Sequence, residues 1–260
     1  MKKNLNRYII SIFFICLFFI FVNKTFSQSD TSNADININW QTIDSYTPSL
    51  YEGRALPGEE SYIKAVAEVK ISTPAGDLDS SKLFYSWTYN GKIVYNYSVT
   101  NGKIIYFTLD SLKNTDTLDL KIYSDNSQDN LLGEKSITIT PYSSVIPLYK
   151  QNDNPILTYS NVINKRYETY NVNTGDLFNI LAEPFYFSIS NPTDLDLSYE
   201  WKLDNILATN SFTNIFNYSS PNTIGQNSGI SLKITNQNSN KNLQEGNTLV
   251  NFNVIQLKSK

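Results

Sequence analysis

A chain of 260 residues with 40% hydrophobic residues and a mean hydropathy of −0.32 can form one large domain or two ordinary ones, and it is too polar for a multi-span membrane protein. A net charge of −3 and a pI near 5.1 offer no basic stripe to neutralise phosphates, so nucleic acid is set aside as a partner. There is no His, and the one Cys, Cys16, lies in an N-terminal apolar run. His-based triads, His metal ligands, disulfides, Cys-ligated zinc and cysteine nucleophiles are therefore excluded from the body of the chain.

Lys2, Lys3 and Arg7 flank residues 8–22, 15 positions that are apolar except for Ser11. A bilayer-spanning helix takes ~20 residues, and the shorter run suits the apolar region of a secretory signal. Thr25-Phe26-Ser27 and Ser27-Gln28-Ser29 each place small residues where cleavage needs them. An uncleaved signal anchor, lengthened by Thr25 and Phe26, is the alternative. Either way residues 1–29 are a targeting segment, the basic flank stays in the cytoplasm and the body is exported. Membrane contact is then expected only through this segment, if it is uncleaved. Ile15 before Cys16, in place of a small residue, argues against a lipoprotein.

A polar stretch leads into Ile36-Asn37-Ile38-Asn39-Trp40, whose alternation predicts a first strand. After an irregular connection marked by Pro48 and Pro57, residues 62–71 place Ile63, Ala65, Ala67, Val69 and Ile71 on one face and Lys64, Glu68 and Lys70 on the other. Residues 83–89 alternate again through Leu83, Tyr85, Trp87 and Tyr89, and Asn90-Gly91 predicts a two-residue hairpin turn with two positive φ angles. Ile93-Val94-Tyr95-Asn96-Tyr97 is the expected return strand, followed by strands at 103–109, 116–123 and 134–140, the last stopped by Pro141. About seven short strands in roughly a hundred residues, with no sustained helical period, point to a β-sandwich.

The pattern then recurs. Ala67-Glu68 returns as Ala182-Glu183, 115 positions on, Trp87 as Trp201 after 114, and Leu120-Lys121-Ile122 as Leu232-Lys233-Ile234 after 112. Three blocks in one order at nearly constant offset indicate a duplicated module. The joint is expected at residues 141–147, giving modules at 30–141 and 142–260, the second closed by a strand at 248–257. Tyr85-Ser86-Trp87 and Tyr199-Glu200-Trp201 resemble the third-strand signature of immunoglobulin-like and PKD-like modules. That resemblance implies an all-β chain of two tandem antiparallel sandwiches, each Trp filling the space between its sheets. Ala67 and Ile122 fall near where immunoglobulin cysteines would stand, so packing alone joins the sheets. The Trp-Asp-Phe-Gly-Asp-Gly run of typical PKD domains is replaced by Trp87-Thr88-Tyr89-Asn90-Gly91. With Trp40-Gln41-Thr42-Ile43-Asp44-Ser45-Tyr46-Thr47-Pro48 opening the body, the layout also resembles exported proteins of uncultivated, small-genome bacteria, which implies a setting and no activity.

Candidate binding residues are few. Asp77 with Asp79, Asp194 with Asp196, and the loop acids Asp125 and Asp129 could offer oxygens to calcium, though two carboxylates fall short of its six to eight ligands and Asp is a common turn residue. Tyr95 and Tyr97, with Asn96 and Asn101, could stack on a sugar or simply pair across a sheet. Asn96-Tyr97-Ser98 and Asn217-Tyr218-Ser219 match the glycosylation sequon, a pattern that arises readily in an Asn-rich chain. No nucleophile elbow, phosphate-cradling glycine loop or Ser-Lys motif set stands out. The expectation is a non-catalytic exported or cell-surface protein with a structural or adhesive role, requiring no cofactor, whose partner is another protein or a cell-surface polymer. A ligand-binding module for glycan or calcium is the alternative.

Overall fold

Alternation of apolar and polar residues gives each strand one face that water rejects, and two such sheets bury those faces against each other. A computed structural model of the chain describes residues 33–48, 53–110, 112–151, 162–164, 168–209, 211–241 and 244–256, and no helix occurs among them. The targeting segment expected at 1–29 lies outside the described residues.

In the first sandwich β1 (Asn33–Thr42) and β2 (Tyr62–Thr73) pair antiparallel along ten residues. The other edge of β2 takes the short β3 (Gly76–Asp77). The facing sheet begins with β4 (Phe84–Tyr89) and β5 (Lys92–Ile93), while β6 (Ile104–Thr108) returns to β2 beside β3. Strands β7 (Asp116–Tyr123) and β8 (Leu131–Ile139) complete that facing sheet in the order β5-β4-β7-β8. Between the two lie Ile63, Ala65, Tyr85, Trp87, Ile105, Leu118, Leu120 and Ile122, all buried.

The second sandwich repeats the plan with β9 (Leu148–Gln151), β10 (Thr169–Asn173), β11 (Leu177–Ala182), β12 (Leu197–Leu203), β13 (Ile206–Leu207), β14 (Ile215–Ser219), β15 (Asn227–Asn236) and β16 (Glu245–Ile255). One sheet runs β14-β11-β9 and the other β10-β16-β15-β12-β13. Here β10 lies parallel to β16. In the first sandwich the corresponding pairing shrinks to one parallel bridge, Gly58 with Tyr142. A second buried cluster, built around Trp201, Phe187, Ile230 and Phe252, forms its own core.

The duplication extends to hydrogen bonds. Trp87 stands opposite Leu120 and Tyr85 opposite Ile122, while Trp201 stands opposite Leu232 and Tyr199 opposite Ile234. Each indole N–H reaches a backbone carbonyl two residues before the next long strand, Gly102 at 2.7 Å and Thr213 at 2.8 Å. Both turns after the Trp strand have positive φ at two successive residues, 49° and 77° at Asn90 and Gly91, 49° and 67° at Asp204 and Asn205. The side chains of Asn90 and Asp204 then accept from the backbone N–H of Thr117 and Gly229, tying each turn to the neighbouring strand.

Expected elements differ in places; the closing strand of the second sandwich, for one, begins at Glu245 rather than 248. The return strand at 93–97 stops after Lys92–Ile93, because Ser98 folds back: its hydroxyl accepts from Trp87 N at 3.0 Å and meets Val94 O at 3.0 Å. A side chain thus takes the place that a third ladder residue would fill. The last strand of the first sandwich begins at Leu131 rather than 134. Gly133 belongs inside it because β1 passes so closely that a Cβ there would stand 2.7 Å from Ala34 Cβ.

Candidate functional site at the module junction

The described parts of the connection from β1 to β2, residues 43–48 and 53–61, reach across to the second sandwich while keeping bonds to their own. Tyr46 N donates to Phe187 O at 3.0 Å, Ser45 bridges Ser188, and the Tyr46 ring packs against the second core. Its hydroxyl donates to Glu183 Oε2 at 2.9 Å. Glu183 follows directly on β11 and is only 6% exposed. Burial pushes its carboxyl above the usual range, and the Tyr46 bond draws it partly back. The Tyr46 phenol is raised in turn, by burial first and by Glu183 second.

The loop between β15 and β16 holds the same connection from another side. Lys241 forms an ion pair with Asp44 at 2.8 Å and also donates to the Glu60 carbonyl. Gln244, 1% exposed, donates to Glu59 O at 2.5 Å and to Ser188 Oγ at 2.8 Å, and accepts from Ser188 N at 2.8 Å and Asn236 Nδ2 at 3.0 Å. Every polar atom of that amide side chain has a partner, as a buried amide requires. Asp44 is fixed from its own side by Tyr62 N at 2.9 Å and Thr42 Oγ1 at 3.1 Å. Tyr142 N donates to Pro57 O at 2.8 Å. Gly58 passes beneath Tyr186 so tightly that a Cβ would stand 1.9 Å from the Tyr186 carbonyl oxygen. The two sandwiches thus meet at this clasp as well as at the proline-marked stretch 141–147 through which the chain passes.

The residues singled out in the sequence are placed elsewhere. Trp87 and Trp201 are fully buried in the two cores. Asp77 takes the Ser72 hydroxyl and Lys70, while Asp79 takes the N–H and hydroxyl of Ser81; these bonds hold both carboxyls below the usual range. Asp194 accepts from Ser190 and from Asp196 N, and Asp196 from Asn238. Asp125 accepts from Ser124 and Ser127, and Asp129 lies in the same exposed loop. They act as turn caps, and among the described residues no three His, Cys, Asp or Glu side chains come together as a metal site. Tyr95 points to solvent, 78% exposed, whereas Tyr97 packs against the first core with its ring 6.3 Å from Tyr106. Asn96 and Asn101 are exposed on the same turns, and Asn217 is exposed on β14 opposite Asn179.

The clasp residues Tyr46, Glu183, Lys241 and Gln244 carried no signal as a group. Glu183 matched Glu68 in the repeat, yet Glu68 faces solvent on β2 and Glu183 is buried at the junction.

No family model and no curated protein matches the chain. Similar solved structures include three N-terminal domains of the bacteriophage RB49 highly immunogenic outer capsid protein, at 13% identity and a TM-score of 0.29, covering 86% of this chain and 71% of that one. The fibronectin(III)-like modules of Clostridium thermocellum CbhA match at 14% identity and 0.25, covering 87% and 98%. A Bacteroides ovatus glucan-utilisation protein, SGBP-B, solved with a mixed-linkage heptasaccharide, matches at 8% identity and 0.24, covering 87% and 72%. At such scores the class rests on the strand order itself, which defines two immunoglobulin-like sandwiches in series.

Proposed function

We propose that the protein is an exported, non-catalytic two-module element, with sandwiches spanning 30–141 and 142–260, that serves a structural or adhesive role at or beyond the cell envelope. The observation that carries this reading is the clasp. The described parts of the connection between β1 and β2 meet the second sandwich through a buried Gln, a buried Glu and an ion pair. A spacer or adhesin that presents a surface at a set distance from the cell needs such a joint, whereas modules that act independently are served by a flexible linker. The sheet charges favour the same reading. Glu200 pairs with Lys202, Lys233 with Glu245 and Lys121 with Glu134, all on half-open sheet faces rather than in a cleft.

The test is fractionation of expressing cells with mass spectrometry of the native N-terminus. Recovery from the envelope or medium, with an N-terminus near Ser27 or Ser29 or with the basic flank intact at the membrane, is expected. Recovery from the cytoplasm with an uncleaved N-terminus would contradict export.

A further inference from the structure

The first strand leaves one edge of its sheet bare. β1 is ten residues long, and its pairing with β2 is unbroken from Asn33 to Thr42. No described strand continues the sheet beyond it. Ile43 N donates to Tyr62 O on the β2 side, and Ala67, opposite Ile38, gives its own N–H to Lys103 O on the far side of β2. Antiparallel neighbours alternate between bonded and unbonded pairs, so Asp35, Asn37, Asn39 and Gln41 bond to β2 while Ala34, Ile36, Ile38 and Trp40 turn their N–H and C=O groups outward. Among the described residues nothing bonds to those outward groups. β8 approaches from the facing sheet at Gly133, close to Ala34, and exchanges no backbone bond with β1.

A bare edge is a template for another strand, and proteins ordinarily blunt it with shortness, proline, lysine or an inward-pointing charge. The other described edges follow that rule. β3, β5 and β13 have two residues each, β9 has four, and β6, β10 and β14 have five. β8 is longer, and there Lys135 stands opposite Leu120, on the core side of its sheet. β1 has none of these devices: it contains no Pro and no Lys, and Asp35 is its one charge. Its solvent face is a run of exposed amides, Asn33, Asn37, Asn39 and Gln41, with Asp35 among them.

We infer that this edge pairs with the same edge of a second copy of the chain, antiparallel about a two-fold axis at Asn37. That register sets Ile36 opposite Ile38 and Ala34 opposite Trp40, so the outward backbone groups of each copy bond to those of the other. It also keeps solvent-facing side chains on one face and core-facing ones on the other. Asn37 then meets its own counterpart, and an amide, donor and acceptor at once, complements itself. Asp35 faces Asn39 and Asn33 faces Gln41, so no like charges stand opposed. A register centred on Asp35 would instead set two carboxylates against each other. The pairing rests on the structural reading above and supplies its partner.

The test is disulfide trapping in cells that express the full chain, oxidised with copper–phenanthroline and read on non-reducing gels. Asn37→Cys should give a dimer, because the two positions meet at the axis within the roughly 4–7 Å between Cα atoms that a disulfide spans. Asn33→Cys should give no more than the parent chain, whose one cysteine is Cys16. Its mate is Gln41, which leaves the two introduced thiols about 27 Å apart. Asn217→Cys, on the edge strand β14, should also stay at the parent level. Added to Asn37→Cys, Asn39→Asp should lower trapping about tenfold by setting Asp35 against a carboxylate on both sides of the axis, whereas Asn39→Lys should preserve it. These changes fall on exposed side chains, and melting temperatures of the variants confirm the fold. No dimer from Asn37→Cys, equal trapping at Asn33 and Asn37, capture of a different protein at Asn37, or equal effects of Asn39→Asp and Asn39→Lys would overturn the pairing. Trapping does not depend on export, which the native N-terminus reads separately.

Discussion

Replacing Trp87 separates packing from hydrogen bonding in the first core. The side chain is fully buried and its indole N–H meets Gly102 O at 2.7 Å. A tryptophan buries about 150–250 Å², which at about 25 cal/mol per Å² contributes about 4–6 kcal/mol. Trp87→Ala forfeits most of this and leaves a cavity between β2 and β7, for an expected loss of about 3–5 kcal/mol. Trp87→Phe retains most of the ring but leaves the Gly102 carbonyl without that donor, an expected loss of about 1–3 kcal/mol. Against a typical stability of 5–15 kcal/mol, the alanine variant is marginal and the phenylalanine variant folds. Urea denaturation followed by far-ultraviolet circular dichroism reads both, with the m-value checking that the transition keeps its character. Trp201→Ala and Trp201→Phe should follow the same order, since Thr213 O takes the place of Gly102 O. Losses below about 1 kcal/mol for both alanine variants, or a phenylalanine variant less stable than its alanine counterpart, would refute the placement of these residues as the plugs of the two sandwiches.

Gly58→Ala should destabilise the junction by about 1–3 kcal/mol through overpacking against the Tyr186 carbonyl, read as a lowered denaturation midpoint; an unchanged midpoint would mean that the stretch around Gly58 does not rest against the second sandwich. Glu183→Gln should raise stability at pH 7, where the buried carboxylate faces Tyr46, Tyr149 and Tyr199 and forms no ion pair with a described residue. Its folded-state pKa lies above the ordinary glutamate value of 4.5, so the folded state holds the proton longer and stability falls as pH rises from about that value through the raised one. The gap between variant and wild type should therefore close as pH falls to about 4, and a gap that widens on acidification would reverse the sign of the argument. Asp204→Ala places alanine at a φ of +49° and removes the acceptor for Gly229 N, for an expected loss of about 1–2 kcal/mol; Asp204→Asn should retain most of the stability, and equal losses in the two would show that the side-chain bond contributes nothing.

The sequence was most legible where one period governs a whole strand. Trp87, Trp201, Leu120 and Leu232 lie in the cores that their alternation predicts, and the constant offset between copies reappears as one cross-strand register. It was less legible where a side chain replaces a ladder bond, as Ser98 does behind β5, because a lone serine in a loop carries no periodic signal. The clasp was illegible for a related reason. Its bonds join residues as far apart as Asp44 and Lys241 through backbone carbonyls and single side chains, and Gln244 lies in a run of Asn, Gln and Ser that reads as an ordinary solvated loop. Buried polar networks are specified by three-dimensional partners rather than by local pattern. The carboxylate pairs show the opposite failure: close in sequence, Asp77 and Asp79 turn to separate serines.

The central claim, that the clasp makes the two sandwiches one unit, is tested most directly by differential scanning calorimetry of residues 30–260 beside the Gln244→Ala variant. Removing the Gln244 amide strands Glu59 O and Ser188 N at the junction while touching neither Trp core. The wild type should melt in one transition whose calorimetric and van't Hoff enthalpies agree, and Gln244→Ala should split it into two. Two separate wild-type transitions, neither shifted by the substitution, would show that the sandwiches fold and stand independently.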